Sequence, residues 1–257
     1  MSRFDVRWIG HATVEVAVGG LRLLTDPVVT STVAHLRRRV AAPPPLTPDV
    51  VLISHLHLDH LHQRSLRRVL GSAPNGTALV VPRGAAPLVR WLAAPSVIEV
   101  TAGDTLTFDA PDGTTVHVEV TAARHSCRRG PHSTANAHPV GFVVRGAGRA
   151  AYFAGDTDLF PGMAGLVDVD VALLPIWGWG PTLGAGHLDP DRAAEATAWI
   201  GPRAVVPIHW GTYSPIRAGV GAPPWFGEPL AAFRAALAER RLTDRLHVLR
   251  PGDTLRA

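Results

Sequence analysis

The stretch "VLISHLHLDHLHQ", residues 51–63, places four histidines and one aspartate within eight positions, directly behind an apolar run. A continuous apolar segment of this length reads as a strand buried on both faces. A surface turn accommodates one stray histidine, but five ligand-type side chains at the end of a buried strand form a metal-binding pattern. His55 and His57 are two apart, so an extended segment points both to one side, where they can grip one cation. After Leu58 the chain is expected to turn into a helix over residues 61–70. That turn redirects Asp59 and His60 toward a second cation close by. Neutral imidazoles and a carboxylate suit zinc, manganese or iron.

The rest of the chain alternates strands and helices. Residues 6–9, 13–18 and 21–25 read as strands, with Gly19-Gly20 as a tight hairpin turn, and a Pro-rich connection follows over 28–48. Strands are expected at 78–82, 97–100, 105–108 and 115–121, with a short helix at 87–93. "HPVGFVVRGAGRAAYFAGDTD" then echoes "GHATVEVAVGGLRLLTDPV": strand, glycine turn, strand, aspartate. "VDVALLPI" likewise echoes "PDVVLISH". The echo predicts two similar β/α halves with one site between them. A helix at 190–200, strands at 204–208 and 246–249, and a helix at 228–240 complete the reading. No flexible linker divides the chain, so residues 1–257 are taken as one domain.

Cys127 is the sole cysteine, which excludes an intramolecular disulfide, and a thiolate zinc site is not expected. Any metal must therefore be held by histidine and carboxylate. Apolar residues make up 46% of the chain, a globular composition, yet the longest apolar runs fall far short of the ~20 residues that span a bilayer. The opening residues enter strand-like alternation without a signal-peptide h-region, so a cytoplasmic location and no integral membrane segment are expected. The net charge is +4 and every basic residue is arginine. The clusters Arg37–Arg39 and Arg67–Arg68 read as solvated faces. No nucleic-acid motif accompanies them, so no nucleic-acid partner is expected.

With these residues in view, His55-x-His57-x-Asp59-His60 resembles the H-x-H-x-D-H signature of the metallo-β-lactamase fold superfamily. That family's later ligands match in order: His125 in "VEVTAARHS", Asp156 in "YFAGDTD" and His209 in "AVVPIHWGTY". The resemblance implies an α/β fold, a four-layer αββα sandwich with the metal site at one edge. It implies one cation on His55, His57 and His125, a second on Asp59, His60 and His209, and Asp156 bridging them. Two divalent ions ~4 Å apart, zinc before manganese or iron, would acidify a shared water into a hydroxide nucleophile. Asp59 would hold that water or accept its proton. Asp26 is expected to hydrogen-bond the metal loop.

Three segments, "GHATVEV…LLTDPV", "LLPIWGWGPTLGAGHLDPDRAAEA" and "PIHWGTY", resemble the branch containing N-acyl-phosphatidylethanolamine phospholipase D and L-ascorbate-6-phosphate lactonase. In that branch the histidine of the "GHLDP" segment lies near the substrate. Here it is His187, which would orient the scissile group or donate a proton. Asp189 and Pro190 beside it also read as a helix N-cap and first turn. The implied activity is hydrolysis of a phosphodiester, lactone or related ester in a small or lipid-like molecule. A metal-dependent binding or sensing protein is the alternative, and copies of the chain are expected to be able to assemble. Trp177, Trp179 and Trp210 are expected to wall the pocket. Arg37–Arg39, Arg124, Arg128 and Arg217 are candidate phosphate grips. His11 sits at a Gly-His junction that the family places near the site. His62 reads as a surface or capping residue, and His35, His117 and His247 as structural or exposed. His132 and His138 share the loop of His125, which is preferred because it directly follows the strand.

Overall fold

Strands and helices follow the apolar periodicity closely. The computed structural model describes residues 3–257 apart from Pro74, Asn75, Ala93, Pro95 and Pro131. The first half contains β1 (Phe4–Gly10), β2 (Thr13–Val18), β3 (Leu21–Thr25), β4 (Thr32–Val33), β5 (Leu36–Arg38), β6 (Val50–Leu52), α1 (Gln63–Ser72), β7 (Ala78–Pro82), α2 (Ala86–Val89) and β8 (Ser96–Val100). The second contains β9 (Thr105–Asp109), β10 (Thr115–Ala122), β11 (Val140–Gly146), β12 (Arg149–Phe153), β13 (Val171–Pro175), α3 (Pro190–Ile200), β14 (Ala204–Ile208), β15 (Tyr213–Pro215), α4 (Glu228–Glu239) and β16 (Thr254–Arg256).

One sheet has the order β16-β1-β2-β3-β6-β7-β8, and the other β14-β13-β12-β11-β10-β9. In the first, β1 to β3 are antiparallel and β3, β6, β7 and β8 run parallel. In the second, β9 to β12 are antiparallel and β12, β13 and β14 run parallel. The sequence echo therefore has a structural counterpart. In each half a hairpin, β2–β3 or β11–β12, passes its second strand to a parallel neighbour.

Both faces of the central strands are buried. Val50 and Leu52 face the second sheet, packing with Phe142, Val144 and Leu173. Val51 faces outward beneath Leu66, Val69 and Val89 of α1 and α2. On the far side, Tyr152, Leu174 and Val205 pack under Ala193, Phe233 and Leu237 of α3 and α4. The result is the four-layer αββα sandwich of the metallo-β-lactamase fold. Phe142 is fully buried between the sheets. Phe142→Ala is expected to cost roughly 3–5 kcal/mol in chemical denaturation, because the two facing sheets cannot collapse into the void.

Four expected elements need correction. Residues 246–249 form no strand: Leu246 makes one bridge to Val205, and the closing strand is β16, paired with β1. The connection over 28–48 contains β4 and β5, which join β15 in a small third sheet. Helix α1 begins at Gln63, because the chain first makes a tight turn over 57–61, with His60 N and Leu61 N both donating to the His57 carbonyl. The helix expected over 87–93 is α2 followed by a 3-10 turn at Arg90–Leu92, and Ala93 lies outside the described residues. Arg67 and Arg68 are exposed as expected, with Arg67 stacked over Trp91. Arg37 is exposed as expected, but Arg38 is buried and Arg39 half-buried. Arg38 donates to the carbonyls of Ile9, Val28 and Ala41, and Arg39 to Ser214 Oγ and the carbonyls of Pro215 and Gly219. Arg38 thereby ties β5 to β1 of the sandwich, and Arg39 ties the end of β5 to β15 within the third sheet. Among the described residues, no helix is long and apolar enough to cross a membrane.

Candidate metal centre

The strand ends supply the site. His11 follows β1, Asp26 follows β3, His55 to His60 follow β6, His125 follows β10, Asp156 follows β12 and His209 follows β14. All gather at the same edge of the sandwich, where α/β sheets commonly carry their chemistry. His11, Asp26 and His209 have φ of 54°, 33° and 61°. Left-handed backbone is costly for non-glycine residues, and at a site it reflects positions imposed by the surroundings. Gly155 also has a positive φ, of 62°, and a Cβ there would lie 2.7 Å from Ser54 Cβ. Its missing side chain lets the Asp156 turn close against the metal loop.

Two sets of donor atoms converge. His57 Nδ1 lies 3.1 Å from His55 Nε2 and 3.0 Å from His125 Nε2. His60 Nε2 lies 3.0 Å from His209 Nε2, and Asp59 Oδ2 lies 3.9 and 3.7 Å from them. Asp156 stands between the sets. Its Oδ2 is 3.2 Å from His60 Nε2, 3.9 Å from His55 Nε2 and 4.0 Å from His125 Nε2, and its Oδ1 is 3.3 Å from His209 Nε2.

The outer ring of hydrogen bonds decides which nitrogen of each histidine carries hydrogen. A carbonyl or carboxylate can only accept, so its partner nitrogen must donate. His209 Nδ1 donates to the Trp177 carbonyl at 2.8 Å, and His125 Nδ1 to the Gly186 carbonyl at 2.7 Å. His60 Nδ1 donates to Asp26 Oδ2 at 2.7 Å. Ser54 Oγ gives its proton to Asp26 Oδ2 and so accepts from His55 Nδ1. Each of these histidines therefore turns its Nε2 inward. Neutral imidazole lone pairs 3.0 Å apart repel unless a proton or cation lies between them. Asp156 Oδ1 is buried and receives no hydrogen bond. A buried acceptor of this kind calls for a partner. This donor chemistry fits divalent cations.

Charges agree with the geometry. Burial lowers His55, and lowers His125 to about 4, so both are neutral near pH 7. Burial alone would raise the Asp59 and Asp156 carboxyls, but neighbouring histidines, His60 for Asp59 and His209 with His60 for Asp156, hold both well below the usual range. Burial alone would lower His60, but Asp156, Asp59 and Asp26 hold it well above its ordinary value.

His11, a marginal candidate from sequence, is buried in the site. Its Nε2 meets Asp59 Oδ2 at 3.0 Å, its ring packs 3.9 Å from that of His209, and its carbonyl accepts from His209 N. Burial lowers His11 to about 4. The Gly-His junction at the end of β1 is the one sequence signal for this placement.

An open cleft of about 320 Å³ ends on the donor cluster. His57, Asp59, Asp156, His187 and His209 line it, facing Leu36, Leu58, His35, Trp179 and Arg129. His187 Nε2 lies 3.5 Å from Asp156 Oδ2, while its Nδ1 donates to the Gly184 carbonyl. Asp189 next to it caps α3, accepting from Arg192 N. Of the three tryptophans expected at the wall, Trp179 is there. The Trp177 side chain borders a separate hollow with Pro181 and Trp225, and Trp210 stacks on Trp8. His62 occupies the N-cap position of α1 and pairs with Ser65 Oγ. His132 and His138 are exposed, away from the donor cluster.

A family model described as the beta-lactamase superfamily domain matches residues 21–210. A UPF0173 metal-dependent hydrolase of Symbiobacterium thermophilum is 33% identical over 262 residues, covering 97% of this chain and 98% of its own. A second, of Caldivirga maquilingensis, is 31% identical over 260 residues, covering 97% and 96%. The structure of Igni18, a metallo hydrolase from Ignicoccus hospitalis, superposes with a TM-score of 0.70 at 24% identity, covering 99% of this chain and 98% of that one. At that identity the likeness speaks for the fold.

Proposed function

Because the chain belongs to the UPF0173 metal-dependent hydrolases of the metallo-β-lactamase superfamily, we propose that it hydrolyses an ester, a phosphodiester or lactone, with two divalent cations. His55, His57 and His125 would hold one, Asp59, His60 and His209 the other, and Asp156 both. The observation that carries this reading is the inward convergence of ligating side-chain atoms around Asp156, whose buried Oδ1 receives no hydrogen bond, at the end of an open cleft. What a pair of divalent cations supplies in such a cradle is Lewis-acid polarisation of the substrate oxygen and an acidic water.

The chain's own groups do the rest. Asp26 and the Trp177 and Gly186 carbonyls keep the histidines in the ligating tautomer. Asp59, oriented by His11, faces the cleft to hold the attacking water or take its proton. His187, with Nδ1 committed to Gly184, offers Nε2 to the scissile group or the leaving oxygen. Its place in the cleft supports the branch resemblance to N-acyl-phosphatidylethanolamine phospholipase D and L-ascorbate-6-phosphate lactonase. Apolar Leu36, Leu58 and Trp179 favour an acyl or aryl portion in the substrate.

Metal loading should be coupled to pH. The sign follows from His60, which is held above its ordinary value and so carries a proton on the ligating Nε2 at pH 7. His55 and His125 are lowered and carry none there. A cation must displace the His60 proton, so affinity rises with pH until that proton is gone. Zinc titrations in buffers of different ionisation enthalpy are expected to show release of about one proton per chain at pH 7. Release of none would contradict this protonation pattern.

The reaction is tested with bis(p-nitrophenyl) phosphate and a panel of lactones, using zinc- or manganese-loaded protein. Turnover of either class that requires the metal supports the proposal. With two metals per chain and no turnover of any of them, the hydrolase reading fails.

A further inference from the structure

We propose that Arg129 is an oxyanion anchor in the cleft, and that the substrate carries a carboxylate or phosphate beside its apolar or aryl portion. The inference rests on the hydrolase reading and narrows its substrate class.

The first observation is how Arg129 is held. Its Nη1 donates to the carbonyls of Leu56 and Leu61, at 2.9 and 3.2 Å, which bracket the turn carrying His57, Asp59 and His60. The guanidinium is thus fixed to the metal loop and moves with it. The second is its charge. Several other partly buried arginines meet carboxylates: Arg22 meets Glu15, Arg149 meets Asp170 and Arg192 meets Asp158. Arg129 has no carboxylate in ion-pair distance among the described residues, and burial lowers it with no opposing charge. Arg38 and Arg39 are also held without a carboxylate, but neither borders the cleft.

The third observation is position. Arg129 lines the cleft that ends on Asp156 and His187, and apolar Leu58 and Trp179 share its wall. A half-buried cation satisfied only by neutral oxygens retains its attraction for an anion. The planar fork still has donors beyond Nη1, and it suits the paired oxygens of a carboxylate or phosphate. An ester whose anionic group meets Arg129 would be placed with its body against Trp179 and its scissile group toward Asp156.

The test is direct binding to the zinc-loaded full chain by calorimetry, with benzoate and phenylphosphonate against neutral benzamide. The anions are expected to bind more tightly than benzamide, and Arg129→Gln should shrink that preference by roughly tenfold or more. Arg129→Lys, which keeps the charge without the fork, should fall between. The more Arg129-dependent anion names the group. An anion preference unchanged in Arg129→Gln at wild-type metal content overturns the inference, as does equal binding of anions and benzamide by the wild type. Should Arg129→Gln lose metal through the Leu56 and Leu61 carbonyls, a crystal structure of the wild-type, zinc-loaded chain with benzoate decides. The carboxylate on Arg129 supports the anchor, and a carboxylate placed elsewhere removes it. A chain that binds anions through Arg129 but hydrolyses no ester would keep the anion anchor and lose the hydrolase reading together with the substrate class built on it. Hydrolysis without anion preference would keep the hydrolase reading and lose the anchor.

Discussion

Replacing Asp156 by alanine is expected to abolish ester hydrolysis and to remove at least one bound metal, while leaving the fold intact. The carboxylate stands between the two histidine sets, 3.2 Å from His60 in one and 3.9 Å from His55 in the other. Losing an outer hydrogen-bond partner of a ligand typically weakens metal binding by roughly 10–100-fold. Losing a ligand common to both sets should exceed that range. The packing that builds the sandwich lies in three apolar clusters that do not include Asp156, so far-ultraviolet circular dichroism should be unchanged. Asp156→Ala protein that keeps two metals per chain and normal turnover would show that the carboxylate is not a shared ligand.

The second large effect is expected at Asp26, which is fully buried. Its carboxylate accepts from Ser54 N at 2.7 Å, from Ser54 Oγ at 2.5 Å and from His60 Nδ1 at 2.7 Å. Alanine would leave three buried donors without an acceptor, in a position whose φ of 33° already disfavours it. Breaking a buried charged network by removing one partner costs roughly 3–5 kcal/mol, to be read as a lowered urea midpoint of the metal-free chain. His60 and His55, no longer held in the ligating tautomer, should also bind metal more weakly. Asp26→Asn separates the effects: the amide preserves volume but presents a donor where His60 also donates. It should hurt metal affinity more than stability. Wild-type metal content in Asp26→Ala would remove the assigned role.

The layers were legible because they depend on local patterning. The apolar run at Val50–Leu52 and the alternation of β1 to β3 identify buried and half-buried strands without knowing their partners. The grouping of His55, His57, Asp59 and His60 was legible for the same reason, since one turn brings them together. His125, Asp156 and His209 stand at the ends of separate strands, and only the ordered resemblance links them in sequence. Side chains whose partners are distant and unpatterned were not legible. Arg38 and Arg39 look like surface charge until the carbonyls of Ile9, Val28, Pro215 and Gly219 surround them. Arg129 is one arginine among many until the Leu56 and Leu61 carbonyls hold it at the cleft. The misplaced last strand has the same origin. Residues 246–249 are more apolar than β16, but β16 is the segment that reaches the free edge of β1.

The most direct test of the two-cation site is anomalous diffraction from crystals of the zinc-loaded chain. Two peaks are predicted, one among His55 Nε2, His57 Nδ1 and His125 Nε2, the other among Asp59 Oδ2, His60 Nε2 and His209 Nε2, with Asp156 touching both. A single peak, or peaks away from these atoms, would contradict the account.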